Sequence, residues 1–220
     1  MIVVENSVNT FKEEVITLDR LLIVNEVHFQ TFTQRPFFKM IQSGVLNQDE
    51  KKRTAFFNYM QIFADYFQTM IQMRQATCSD DRFYPTFLKH FLDELGHDNL
   101  FRQRDEIQNV WDPILVAVMT WFVHKMQVLD NVEKTVVMHL VLEKGGDYYH
   151  SIGNQTLTQH MASSYYAAHE ELDEGHASMA MNLLSGYPKF VYHRLNHLLR
   201  ESWLMLYAMV DRVHECVMRQ

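Results

Sequence analysis

Glycine and proline are scarce in this chain, with seven and four residues respectively among 220. An all-β protein needs frequent turns, which these two residue types favour, so their scarcity argues against that class and predicts long helices in an all-α fold. No linker rich in Ser, Gly or Pro interrupts the chain, and 47% of its residues are hydrophobic. We therefore expect one domain over residues 1–220 with a well-buried core.

Cysteine is also scarce, since Cys78 and Cys216 are the two in the chain. They lack the close spacing of a zinc or redox pair, and two are too few for a disulfide framework. A small disulfide-stabilised scaffold is therefore excluded, and we expect ordinary reduced thiols.

Clustered positive charge and long apolar runs are missing as well. The formal net charge is -7, whereas nucleic-acid binding needs concentrated lysine and arginine to displace counterions from phosphates. Residues 1–6 lack the basic start and apolar core of a signal peptide, and the apolar run at residues 114–123 is too short to cross a bilayer. These features predict a cytoplasmic protein that binds neither nucleic acid nor membrane.

Apolar residues recur at helical spacing through most of the chain, which predicts seven or eight amphipathic helices. The predicted helices lie at about residues 7–33, 36–42, 47–75, 85–105, 113–129, 131–149, 156–185 and 189–217. Gly145-Gly146 lies inside one of them, where each glycine costs about 1 kcal/mol relative to alanine, so we expect a functional or packing reason for the pair.

The pattern His-x3-(Asp/Glu)-x2-His occurs twice, at residues 90–97 and 169–176. From the composition we expect about 0.08 such patterns by chance, so two copies are unlikely to be accidental. Positions i, i+4 and i+7 share one helix face, and each copy can therefore direct two imidazoles and one carboxylate to one point.

Glu143 follows an apolar run on the helix between the two motifs, and a buried carboxylate needs a charged partner or a metal ion. Oxygen and imidazole ligands without thiolate favour two iron ions, with manganese possible and zinc not excluded by affinity. The alternatives are an exposed Glu143 and motifs that form solvated helix faces. His90 and His139 stand four residues before Glu94 and Glu143 and are weaker candidates that could orient these carboxylates. The candidate metal ligands are Glu94, His97, Glu143, His169, Asp173 and His176.

This order of ligands resembles the haem-oxygenase-like di-iron oxidases and oxygenases of the TenA/PqqC-like superfamily. The segment at residues 35–46 also resembles the early part of that superfamily. Many members space the first Glu and His by seven positions, whereas a subset that includes an olefin-forming fatty-acid decarboxylase has the shorter spacing of Glu94 and His97. One branch consumes its own tyrosine, but Phe37 and Phe38 stand in the corresponding segment here.

The resemblance implies a haem-oxygenase-like bundle in which two irons activate dioxygen, with electrons from an unidentified donor. The implied substrate is a small organic molecule such as a fatty acid, an amino acid or an amine, and a homodimer is compatible with the sequence. Aromatic stretches at residues 56–60 and 63–67 are candidates to line an apolar cavity. Four tyrosines close to the ligands in sequence are candidates to meet oxygen or substrate: Tyr148, Tyr149, Tyr165 and Tyr166.

Three other functions remain open from the residues. A ferritin-like carboxylate oxidase or iron store would need a further glutamate from a fourth helix. A metal-free relative could bind a thiamin-like or quinone-like molecule, or haem through a histidine such as His28. A helical interaction module with an acidic surface would leave the repeated motif unused.

Overall fold

The computed structural model describes residues 17–102, 108, 110–157 and 180–220. Regular structure in these residues is helical, which confirms the predicted all-α class. The helices are α1 Leu18–Thr33, α2 Pro36–Gln42, α3 Val45–Gln48, α4 Glu50–Ala76, α5 Tyr84–Glu94, α6 His97–Arg102, α7 Pro113–Val128, α8 Asn131–Thr135, α9 Lys144–Leu157 and α10 Lys189–Met218. A π-helical segment, Val136–Glu143, joins α8 to α9 without a break, and a short 3-10 helix, Met181–Leu184, precedes α10.

Short acidic side chains set the start of several helices by accepting free backbone N–H groups. Asp49 accepts from Lys52 N and caps α4. Asp112 accepts from Ile114 N and Leu115 N and caps α7. These caps place α4 and α7, which pack against each other and against α10.

The core lies between the long helices α4 and α10, with α1, α2 and the π-helical segment packed around them. Trp203 of α10 is fully buried and donates its indole N–H to Asn25 Oδ1 at 2.7 Å. Asn25 is the polar residue that interrupts the apolar pattern of α1, and this hydrogen bond explains its burial.

One predicted helix is divided into two in the structure. The helix expected at residues 85–105 ends at Glu94, and a new helix begins at His97. Gly96 between them has a φ of 89°, in the left-handed region that glycine tolerates, and its N–H donates to Gln68 Oε1 at 2.7 Å. Glu94 and His97 therefore come from consecutive helices joined by a turn, and the single continuous helix face that we predicted for them is wrong.

Gly145 has the packing reason that the sequence predicted. A Cβ atom at this position would lie 2.9 Å from Leu206 Cδ2 and 3.4 Å from Phe32 Cε1. The close approach of α9 to α1 and α10 thus favours glycine here, because a Cβ would force the Leu206 side chain to shift. Among the helices of the described residues, none is both long and apolar enough to cross a membrane.

Candidate metal centre

Three buried side chains meet between α5 and the end of the π-helical segment. His90, Glu94 and Glu143 are 0%, 3% and 5% exposed, and each offers a nitrogen or oxygen atom within 4.8 Å of the other two. His90 Nε2 lies 2.8 Å from Glu143 Oε1, although the ring N–H does not point directly at this oxygen. The cluster joins two predicted ligands, Glu94 and Glu143, with a histidine that was predicted only as a supporting residue.

His97 is the third predicted ligand that the structure describes. Its Nδ1 lies 3.0 Å from Glu94 Oε2, and its side chain lines a cavity beside the cluster. Glu94, His97 and Glu143 therefore lie in one place, although the turn at Gly96, and not the predicted continuous helix face, brings Glu94 and His97 together. The other three candidates, His169, Asp173 and His176, lie outside the described residues.

The π-helical segment is a feature that the sequence did not reveal. All eight of its residues are buried, and such segments, in which hydrogen bonds run from i to i+5, are rare and occur often at functional sites. This segment keeps both His139 and Glu143 inside the protein, with His139 only 1% exposed. Its largely apolar run, Val136 to Leu142, is equally compatible with an α-helix. The sequence pattern therefore could not indicate that the turns here are π-helical.

Arg74 of α4 is the main residue of the site that sequence reasoning missed. It is fully buried, lies 2.9 Å from His139 Nε2 and 2.5 Å from His90 Nδ1 through its two terminal nitrogens, and packs over the Phe87 ring at 4.4 Å. Burial lowers the pKa of Arg74 to about 10, and the charge of Glu143 opposes this shift. The guanidinium therefore remains charged at neutral pH.

A cavity of about 40 Å³ adjoins the cluster, with room for a few waters or small ions. Its lining residues come from α4, α5, α6, the π-helical segment and α9. They are Phe63, Ala64, Phe67, Gln68, Glu94, His97, Asp98, Leu142, Glu143, Gly146 and His150. Three acids, two imidazoles and an amide thus face a space that is otherwise apolar.

A second cavity of about 20 Å³ is almost wholly apolar and shares Phe63, Leu142 and Gly146 with the first. Met60 and Tyr149 also line it, so both predicted aromatic stretches contribute to the cavities. Gly146 separates the two spaces, and a Cβ there would meet only His150 Cε1 at 3.9 Å. The glycine therefore leaves open space where the two cavities adjoin.

His150 is a second residue that the sequence reasoning missed. Burial lowers its pKa to about 4, while the charges of Glu94 and Glu143 act in the opposite direction. His150 is therefore neutral at neutral pH. Its seven-residue spacing from Glu143, two helical turns on one face, was the available signal.

The other sequence candidates lie as follows. Tyr148 packs edge-on against Phe29 and Phe38, away from the lining of the first cavity. Tyr165 and Tyr166 lie outside the described residues. His28 Nδ1 lies 3.0 Å from the Tyr207 hydroxyl, which in turn donates to the His28 backbone carbonyl.

Comparison with known proteins identifies a relative in sequence but no family. No protein-family model matches the chain. An uncharacterized protein of Rickettsia prowazekii (strain Madrid E) is 27% identical over 199 residues, which are 90% of this chain and 95% of that protein.

Two solved structures resemble this one at low sequence identity. A TenA homolog from Pseudomonas syringae pv. tomato has a TM-score of 0.75 and 10% identity, covering 91% of this chain and 94% of the other. A domain of unknown function with a heme oxygenase-like fold from Shewanella denitrificans has a TM-score of 0.65 and 11% identity, covering 92% and 94%. The chain therefore has a haem-oxygenase-like fold, as its resemblance in sequence implied.

Proposed function

We propose that this protein is a non-haem di-iron oxidase or oxygenase that activates dioxygen to oxidise a small organic substrate. The observation that supports this function is the buried cluster of Glu94, Glu143 and His90 at the wall of a cavity. His97 lies within hydrogen-bonding distance of Glu94 in the same place. Carboxylates are rarely buried without a charged partner or a metal ion. Oxygen and imidazole donors without thiolate suit iron, and manganese would fit the same donors.

The metal ligands that the structure describes would come from α5, α6 and the end of the π-helical segment. Glu94 and Glu143 would supply carboxylate oxygens and His97 an imidazole nitrogen, with His169, Asp173 and His176 as the remaining ligands. When bound, the irons would supply the electrons and the oxygen chemistry, and an external donor would reduce them again. The enclosed cavity would limit the access of water to this chemistry.

The shape of the site supports a substrate with a small polar end and an apolar part. The polar end would lie in the first cavity beside Glu94 and His150, and the apolar part would extend past Gly146 into the second cavity. The aromatic wall formed by Phe63 and its neighbours offers no charged group to the second cavity. A fatty acid, an amino acid with an apolar side chain or an apolar amine has this division into polar and apolar ends, and the volumes of about 40 and 20 Å³ favour the smallest members of each class.

A metal-free enzyme acting on a small molecule is the main alternative. The likeness to a TenA homolog supports the fold, and it does not itself support a metal. In such a protein the cavity and its imidazoles would bind an organic ligand directly. A ferritin-like oxidase would bind iron without oxidising an organic substrate, and an interaction module would bind no stoichiometric metal. Metal content and substrate oxidation therefore separate the di-iron enzyme and the ferritin-like oxidase from each other and from the two functions that need no metal.

The test is anaerobic reconstitution of the full chain with iron(II), followed by measurement of bound metal and of oxygen consumption with a reductant. We expect two irons per chain, and fewer than two in the variants Glu143→Ala and His176→Ala. Glu201→Ala and His197→Ala, which change exposed residues of α10, are the matched controls and should retain both irons. Faster oxygen consumption with one class of fatty acid, amino acid or amine would then identify the substrate.

Two results would contradict the proposal. Wild-type protein that binds no stoichiometric iron or manganese would favour the metal-free enzyme or the interaction module. Retention of two irons and of oxygen consumption in both Glu143→Ala and His176→Ala would show that the ligands are assigned wrongly.

A further inference from the structure

The contacts of Arg74 determine which nitrogen of His90 holds the proton. A guanidinium group has only N–H donors and no acceptor. The His90 Nδ1 atom that lies 2.5 Å from Arg74 must therefore accept a hydrogen bond through its lone pair. The same reasoning makes His139 Nε2, at 2.9 Å from the other terminal nitrogen, an acceptor.

The consequence for His90 is a single neutral tautomer. With the lone pair on Nδ1, the proton lies on Nε2, and this is the atom that stands 2.8 Å from Glu143 Oε1. By the same logic, His139 holds its proton on Nδ1. One buried arginine thus assigns the tautomers of two buried histidines that sit on different helices.

The distance between His90 and Glu143 alone fits two roles for His90. At 2.8 Å the pair could be hydrogen-bonded, but two ligand atoms at right angles on one metal, each about 2.1 Å from it, would also lie about 3 Å apart. Ligation through Nε2 needs a lone pair on that atom, and the proton would then move to Nδ1. Two N–H groups, those of His90 and Arg74, would face each other at the short distance observed.

We infer that Arg74 holds His90 in the Nε2–H tautomer, so that its Nε2 proton faces the Glu143 carboxylate at 2.8 Å, without pointing straight at Oε1, and positions it, and so that His90 has no lone pair there to bind the metal. This inference concerns the geometry of the proposed di-iron site, and its relevance to metal binding rests on the proposed function. Donors that orient metal-binding carboxylates are common, and their loss typically costs about 10-fold to 100-fold in metal affinity.

The first test uses metal-free, full-length protein labelled with ¹⁵N at histidine. Two-dimensional NMR correlations between ring nitrogens and carbon-bound protons distinguish the two neutral tautomers, and His90→Gln and His139→Gln assign the signals. We expect His90 to hold its proton on Nε2 and His139 on Nδ1. Finding the proton of His90 on Nδ1 would overturn the inference, whether or not the protein binds iron.

The second test measures iron binding in variants of His90. Gln at position 90 retains an N–H donor within reach of Glu143 and is a poor metal ligand, whereas Leu has no donor. We expect His90→Gln to bind as many irons as wild type, and His90→Leu to bind iron about 10-fold to 100-fold more weakly. If His90→Gln instead loses an iron, as we expect for Glu143→Ala, His90 is a ligand and the inference is wrong.

The two tests separate this inference from the proposed function. Wild-type protein without stoichiometric iron would contradict the proposed function, while the tautomers measured in the metal-free protein would still decide the role of Arg74.

Discussion

Replacing Arg74 by methionine should destabilise the metal-free protein strongly. Methionine has a similar length and can occupy much of the buried volume, but it donates no hydrogen bond. His90 Nδ1 and His139 Nε2 would each lose the donor that faces them, and a buried acceptor left without a donor costs about 1–3 kcal/mol. Glu143 would also lose its charge interaction with the guanidinium, which is the largest of those that raise the pKa of Arg74.

These costs overlap because all the groups belong to one cluster, so they should not be summed. Removal of one partner from a buried charged network typically costs about 3–5 kcal/mol, and we expect a value in that range for Arg74→Met. Since folded proteins are stable by only about 5–15 kcal/mol, the loss would be a large part of the total. Urea unfolding of the metal-free protein, followed by far-UV circular dichroism, measures it directly.

Arg82→Met is the matched control. Arg82 also pairs with an acid, Asp80, at 2.6 Å and lies over an aromatic ring, that of Phe83, at 5.7 Å. Its side chain is 69% exposed, so water can replace the lost contacts and the unfolding midpoint should change little. If Arg74→Met shifts the midpoint no more than Arg82→Met does, the buried network contributes nothing specific and the reasoning fails.

Two further predictions concern α9 and the cap of α7. Gly146→Ala should stabilise the protein by up to about 1 kcal/mol, because its Cβ meets only His150 at 3.9 Å and alanine is the better helix former. Gly145→Ala should be less stable than Gly146→Ala by about 1–3 kcal/mol in the same urea assay, because its Cβ would be 2.9 Å from Leu206; equal stability would contradict the packing argument. The ion pair with Arg212 holds the pKa of Asp112 below its usual value of 3.8, so the stabilisation from this carboxylate is present above that pH and is lost as the pH falls through the lower, folded-state pKa. Asp112→Asn keeps a capping side chain but cannot titrate. Its stability should therefore fall less steeply with acid than that of the wild type, which thermal unfolding at a series of pH values would measure. Parallel curves would show that Asp112 does not contribute this pH-dependent stability.

The sequence by itself predicted the class of fold and part of the candidate site. Helical periodicity and the scarcity of turn residues were enough for an all-α bundle, because helices depend largely on local pattern. The repeated motif related Glu94 to His97, although the helical rule wrongly put them on one continuous helix, and the apolar surroundings of Glu143 indicated its burial. From the repeated motif and from the family that it resembles, we inferred that these three residues lie close together. In the structure they do.

Tertiary structure decided the details on which the chemistry depends. The turn at Gly96 is stabilised by Gln68, a residue from a different helix, so no pattern within residues 85–105 could reveal it. The π-helical segment offers the same apolar residues as an α-helix would. Arg74 lies 16 residues from His90 and 65 from His139 along the chain, and in sequence it is one more basic residue on a mixed helix. Its role arises only when folding removes it from water, because a buried donor then has to meet acceptors that distant helices supply.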